Sequence, residues 1–162
     1  MPTPTVVFLC TGNTCRSPLV MALARCRWGQ AVQVLSAGLQ AMNGQPAADN
    51  ACVVAIERGA DLTDHGSRML DGELIREADW IIGMTRSHVA MLNARLSEDS
   101  EVKLGLLGAP GDDWRHCPTP ASVEEVDDPY GGSLETYRKT ADQLTRLLAL
   151  WDPYVRDDQG KD

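Results

Sequence analysis

The sequence predicts a single α/β domain in three layers, a parallel sheet of four strands with helices on both faces. Three observations carry this expectation. Short, β-rich apolar runs alternate with stretches of helical periodicity, as they do when helices cross over between parallel strands. The first of those runs has no polar face, the mark of a strand covered on both sides. The chain has 162 residues, enough for one full core, and no repeat, low-complexity tract or linker divides it. Residues 1–155 are therefore expected to form the domain, with 156–162 as a frayed tail.

The elements follow in order. Val6, Val7, Phe8 and Leu9 form the first strand. A polar loop comes next, and Ser17-Pro18 reads as a helix start, because Ser is a good N-cap and Pro is tolerated at the first helical position. Leu19, Ala22, Leu23 and Cys26 then recur at helical spacing. Residues 32–36 read as the second strand, and 46–58 as a helix stopped by Gly59. Residues 80–84, Trp-Ile-Ile-Gly-Met, form the third strand, with a short helix expected on each side. Residues 102–107 are the fourth, where Val102, Leu104 and Leu106 alternate with Lys103, Gly105 and Leu107. Leu134, Tyr137, Ala141, Leu144, Leu148 and Trp151 form one apolar stripe, the last helix. Residues 108–128, rich in Gly, Pro and Asp, break the rhythm. So long a loop tends to be functional, and it leaves the sheet at the carboxyl ends of the strands, where open α/β folds bind ligands. Whether its Trp114 and Cys117 touch a ligand is left open by the sequence.

Composition narrows the function. Hydrophobic residues at 43% and charged ones at 23% are ordinary for soluble proteins. No apolar run approaches the roughly 20 residues of a membrane helix, and the N-terminus lacks a basic start and cleavage site, so the cytoplasm is the expected location. The net charge of −8, with a pI near 4.8 and no Lys/Arg cluster, disfavours nucleic acid and anionic membranes as partners. A phosphate ligand would have to be held by local geometry. The five cysteines, an odd number, point to reduced thiols rather than a disulfide framework. Their spacing does not suit zinc, and no metal or cofactor is expected. Cys26 and Cys52 read as inert core thiols, and His88 and His116 as surface residues.

The chemistry concentrates in Cys10-Thr11-Gly12-Asn13-Thr14-Cys15-Arg16-Ser17, placed between a buried strand and a helix. Successive backbone N–H groups in such a loop make an anion-binding nest, and the helix N-terminus adds partial positive charge. Gly12 can adopt positive φ and lets the backbone approach a ligand. Arg16 offers a planar, permanently charged fork for two phosphate oxygens. The same field favours thiolate over thiol, so Cys10 reads as a nucleophile that takes up a phosphoryl group. Ser17 can donate to its sulfur and help it leave. The loop is not a nucleotide-binding P-loop, for it lacks the second Gly followed by Lys-[Ser/Thr]. A proton donor for the leaving group is also needed. Glu124-Glu125-Val126-Asp127-Asp128 offers several carboxyls, and Pro129 extends the backbone at Asp128.

In this loop, in Ser36-Ala37-Gly38, in Met84-Thr85 and in Asp128-Pro129-Tyr130, the chain resembles the low-molecular-weight protein phosphatase family over almost its whole length. The resemblance implies a sheet in order 2-1-3-4 and a metal-independent hydrolase acting through phosphocysteine. Its substrate would be a phosphorylated protein and its product inorganic phosphate. Cys10, Arg16 and Asp128 would be catalytic, with Asp127 as the alternative acid. Thr11, Gly12, Asn13, Thr14, Cys15, Ser17 and Tyr130 would bind substrate. His65 and Arg68 match a loop-supporting His and Arg, Asn13 would brace the loop, and Cys15 would form a disulfide with Cys10 under oxidation, with a purely structural Cys15 as the alternative.

Specificity is expected from Thr14 and the segment after Asp128. Phosphotyrosine-directed members typically carry a branched apolar residue at the position of Thr14 and paired aromatics after the Asp-Pro. Here Tyr130 is followed by Gly131-Gly132-Ser133, and 39–50 contains no aromatic residue. This combination is similar to bacterial protein-arginine phosphatases, and phosphoarginine is favoured, with phosphotyrosine as the alternative. Two other readings stay open: an arsenate reductase, which would need a relay of two more cysteines although none lies between Cys52 and Cys117, and a non-catalytic phosphate-binding or redox module built on Cys10 and Cys15.

Overall fold

The computed structural model describes residues 2–116 and 123–156. Cys117 and all of the expected tail but Arg156 lie outside the described residues. Four strands, β1 (Thr5–Cys10), β2 (Gln33–Gly38), β3 (Trp80–Gly83) and β4 (Lys103–Leu106), form one sheet in the order β2-β1-β3-β4, every pair parallel. The order matches the expected one. Because β2 and β3 flank β1 on opposite sides, the chain reverses direction across the sheet at the carboxyl end of β1. That is a topological switch point, where parallel sheets open a crevice.

The pleat divides the core. Val6, Phe8, Trp80 and Ile82 face a layer made by α1 (Arg16–Trp28), α2 (Asp49–Glu57) and α5 (Leu134–Ala149), meeting Leu19, Val54, Ala141, Leu144 and Leu148. Val7, Leu9, Ile81, Leu104 and Leu106 face α3 (Gly72–Glu77) and α4 (Arg86–Arg95), through Leu74, Val89 and Leu92. All six residues of β1 are buried, as the continuous apolar run requires. A short α6 (Asp152–Val155) closes the chain. Among the described residues no helix is long and apolar enough to cross a membrane.

Several boundaries differ from expectation, each for a visible reason. β2 starts one residue later than expected and runs on to Gly38, because Ala37 and Gly38 pair with Leu9 and Cys10. α2 starts at Asp49 and not at 46, since Ala48 N–H donates to the carbonyl of Thr14 and is committed to the loop (2.9 Å). α5 ends at Ala149, and Trp151 leaves its stripe to donate from Nε1 to Leu107 O (2.9 Å). Cys26 is exposed and so is no core thiol, because the apolar face of α1 turns away before it, whereas Cys52 is half-buried and packs against the core.

Trp151 also stands edge-on to Trp80, ring centroids 4.9 Å apart, and Gly105 fills the remaining space. A Cβ there would lie 2.7 Å from Trp151 and 3.2 Å from Trp80. Gly105→Ala is expected to cost roughly 2 kcal/mol by overpacking and to lower Tm by roughly 4–8 °C. Thermal unfolding checks this, and an unchanged Tm would mean that the tryptophan pair yields without strain.

Candidate active site

β1 delivers Cys10 to the switch point, and α1 begins six residues later at Arg16. Between them the carbonyls point outward, each into a neighbouring segment. Cys10 O accepts from Leu39 N, Thr11 O from Gln40 N and Thr14 O from Ala48 N, all at 2.9 Å. Asn13 O meets His65 Nε2 at 2.9 Å, and since a carbonyl only accepts, Nε2 carries the proton. In a trans peptide the C=O and the next N–H point in opposite directions. The amides of Thr11, Gly12, Thr14 and Cys15 therefore turn toward the inside of the loop, forming the nest the sequence predicted.

Asn13 holds this shape. It is fully buried, and it, not Gly12, takes positive φ, at 59°. Asn tolerates that conformation, and three side-chain bonds repay its small cost. Its Oδ1 accepts from Arg68 N (2.8 Å), which fixes the amide so that Nδ2 donates to Ser17 Oγ (2.8 Å) and Ser36 Oγ (2.9 Å). Ser17 Oγ, already accepting, is left to donate, and Cys10 Sγ at 2.8 Å is its nearest acceptor. Asn13 N–H also points at that sulfur (3.3 Å). Gly38 matters for the same reason. A Cβ there would lie 2.5 Å from Thr11 O and 3.1 Å from Asn13 N, so only glycine lets β2 lie against the loop.

Ser17 is consequently not the N-cap. The helix starts at Arg16 with Cys15 at the cap position and no side-chain cap bond. A capping side chain would occupy amides that an anion can use.

Arg16 is 6% exposed, and its Nη1 donates to Val126 O (2.9 Å). Its Nη2 lies 3.8 Å from Asp128 Oδ2, and its buried Nε has no partner among the described residues. The segment carrying Asp128 is pinned elsewhere. Val126 N donates to Met84 O (3.1 Å), Arg86 N to Glu125 Oε2 (2.7 Å) and Gln143 Nε2 to Glu125 O (3.0 Å). Glu124 bridges to Gly108, where no side chain would fit. Asp128 itself stays exposed, its Oδ1 accepting from Tyr130 N (3.1 Å).

These groups enclose a pocket of about 210 Å³ lined by Cys10, Thr11, Gly12, Thr14, Cys15, Arg16, Asp128 and Tyr130. Every binding and catalytic residue named from the sequence lines it except Asn13 and Ser17, which sit behind the sulfur. Asp127 does not line it. Cys15 is buried, its Sγ 3.3 Å from Tyr137 Oη, and burial pushes its thiol above the usual range against the opposing pull of its Tyr137 and Thr14 hydrogen bonds. Arg68 braces the loop through its backbone N–H, and His65 through its ring. Among the described residues no three His, Cys, Asp or Glu side chains converge on a metal-sized site.

Sequence reasoning missed Ser36 as a partner of Asn13, the carbonyl of Val126, Tyr137 and, above all, His88. Expected at the surface, His88 is 4% exposed, with Nε2 3.0 Å from Thr11 Oγ1. Thr85 caps α4 by accepting from His88 N (3.3 Å), which puts the ring in the first turn beside the loop. Thr85 was a readable cap signal, but the neighbourhood of α4 and the loop depends on strand order.

The profile of the family described as low molecular weight phosphotyrosine protein phosphatase matches residues 5–159. A protein-arginine-phosphatase of Geobacillus stearothermophilus is 34% identical over 147 residues, 88% of this chain and 90% of that one. The low molecular weight protein-tyrosine-phosphatase Wzb of Salmonella typhi is 31% identical over 156 residues, covering 96% and 97%. Among solved structures, the YwlE arginine phosphatase mutant with a phosphorylated active-site serine superimposes with a TM-score of 0.81 at 31% identity, covering 96% and 97%.

The buried ring of His88 gives a pH signature. Burial first, then the charge of Arg16, lowers its pKa to about 4, against the opposing pull of Asp128 and Glu125. An unfolded chain protonates this histidine near 6.5. Between those values unfolding takes up a proton, so stability falls as pH drops from about 6.5 to about 4, by up to roughly 3 kcal/mol. Thermal unfolding at pH 7, 5.5 and 4.5 should show this slope, flattened in His88→Gln. An equal slope in the variant would remove His88 as its source.

Proposed function

The chain belongs to the low molecular weight phosphotyrosine protein phosphatase family, and we propose that within it Cys10 carries the phosphoryl group and phosphoarginine is the preferred substrate. The activity is removal of phosphate from phosphorylated proteins, with inorganic phosphate as product.

In this reading the sulfur of Cys10 attacks phosphorus while the loop amides and the Arg16 fork hold the equatorial oxygens. The bond from phosphorus to the leaving group breaks, and the carboxyl of Asp128 gives that group its proton. Water then attacks phosphocysteine, its proton passing to the Asp128 carboxylate. The S–P bond breaks with Ser17 donating to the departing sulfur, and phosphate is released. Under oxidation, Cys10 as a sulfenic acid would condense with the Cys15 thiol to a disulfide and water, a reversible state that protects the nucleophile. Reduced thiols at both positions suit the cytoplasm.

The preference for phosphoarginine rests on one observation: beside the loop backbone the pocket is lined by Thr14, by Asp128 and, among the described residues, by one aromatic, Tyr130, which is 76% exposed. A hydroxyl and a carboxylate can accept from guanidinium N–H groups, which a branched apolar side chain would leave unpaired. The Geobacillus relative, named a protein-arginine-phosphatase, is consistent with this. Guanidine, much more basic than phenolate, is also a poorer unprotonated leaving group. Phosphoarginine hydrolysis should therefore depend more on Asp128. Phosphotyrosine is the second reading, favoured by Tyr130 at the mouth, where it could stack on one face of an aryl ring.

Hydrolysis of phosphoarginine and phosphotyrosine peptides, measured side by side, tests the proposal. The expected outcome is a higher kcat/KM on phosphoarginine, loss of both activities in Cys10→Ser, and a larger loss on phosphoarginine in Asp128→Asn. The reverse preference would keep the mechanism and overturn the specificity. No Cys10-dependent release would leave a binding or redox module. Thr14→Ile should shift the ratio of the two kcat/KM values toward phosphotyrosine by roughly ten-fold or more; an unchanged ratio would remove Thr14 as the determinant.

A further inference from the structure

We propose that His88 is a positioning residue that aims the hydroxyl proton of Thr11 into the pocket, making the Thr11 side chain an additional donor to the bound phosphoryl group. The inference rests on the phosphoryl-binding reading of the loop.

The geometry begins with room. At Gly83 a Cβ would stand 3.0 Å from that of His88, so the glycine ending β3 lets the first turn of α4 press onto the sheet edge. The ring then reaches Thr11 from behind the loop. Its Nδ1 is buried with no partner among the described residues, and this decides the tautomer. If Nδ1 carried the proton, a buried N–H would go unpaired, the rarer and costlier defect. If Nε2 carries it, the bare atom is only an acceptor. Nε2–H therefore donates to Thr11 Oγ1, and the Thr11 hydroxyl must turn its own proton elsewhere. Thr11 is exposed and lines the pocket, so the open direction is toward the ligand.

Burial and charge together keep the arrangement single. Arg16 from α1 disfavours a charged ring, while Asp128 and Glu125 of the segment before Pro129 pull the other way. Burial first, and the charge of Arg16 next, favour the neutral ring, and a neutral imidazole with Nε2–H donates to Thr11.

A hydrogen bond to an ionic oxygen is a strong one, and because it acts on the phosphoryl group it serves any leaving group equally. This separates it from Thr14, whose effect depends on the substrate. The measurement is calorimetric titration of inorganic phosphate into the intact protein, which needs no turnover and so survives a failure of the phosphatase reading. Thr11→Val and His88→Ala are each expected to weaken phosphate about ten-fold. Thr11→Ser should keep wild-type affinity, and the double variant should bind no worse than either single one, because the two residues act as a unit. In turnover, both single variants should lose kcat/KM by similar factors on phosphoarginine and on an aryl phosphate. Thr11 is exposed, so Thr11→Val keeps the test open should His88→Ala unfold. Unchanged phosphate affinity in Thr11→Val, or losses that multiply in the double variant, would overturn the proposal.

Discussion

The outward anchoring of four loop carbonyls is the constraint on which the site depends. A nest of amides can form only if the carbonyls sharing their peptide planes are satisfied on the far side. Leu39, Gln40, Ala48 and His65 supply those donors. This explains why β2 extends to Gly38, why a glycine must stand there, and why α2 begins where it does. Asn13 completes the constraint from within, tying β2, the Arg68 backbone and Ser17 to one buried amide. Each tie is an ordinary hydrogen bond of about 1 kcal/mol. Together they hold a strained loop in one shape, so the geometry around the sulfur exists before any ligand arrives.

Arg16 couples that loop to the acid. Its guanidinium is planar and fixed, so the bond from Nη1 to Val126 O sets both the orientation of the fork and the path of the backbone leading to Asp128. The remaining ties come from Met84 just after β3, from Arg86 at the start of α4 and from Gln143 on α5. A chain segment with no regular structure is thus tied to the rest of the fold at several points. Asp128 is left exposed at the tip, its carboxylate accepting from Tyr130 N and standing 3.8 Å from Arg16 Nη2.

The electrostatics are local throughout. A protein with a net charge of −8 repels anions at long range, and among the described residues the loop amides, a helix start and the buried Arg16 guanidinium oppose this at the pocket. Attraction that acts only within a few ångströms selects by fit. The same locality shows at His88, where burial first and the charge of Arg16 next favour the neutral ring.

The sequence by itself determined the strand–loop–helix that bears Cys10, the parallel sheet, and the residues of the loop, because these rest on local signals: an apolar run, a loop composition and helical spacing. Asp128 was readable beside Pro129. The tertiary structure alone decided which atoms those residues meet. Ser17 looked like a cap because capping is local, yet its hydroxyl belongs to a network reaching Ser36 and Arg68, far along the chain. Cys26 looked like core because its spacing was helical, yet which face of a helix is covered depends on what packs there. His88 looked like surface for want of a neighbour in sequence, and it is buried because β3, placed next to β1, carries α4 to the loop. Hydrogen bonds and burial are properties of spatial neighbours, and the order of strands in the sheet, which no local pattern encodes, chooses those neighbours.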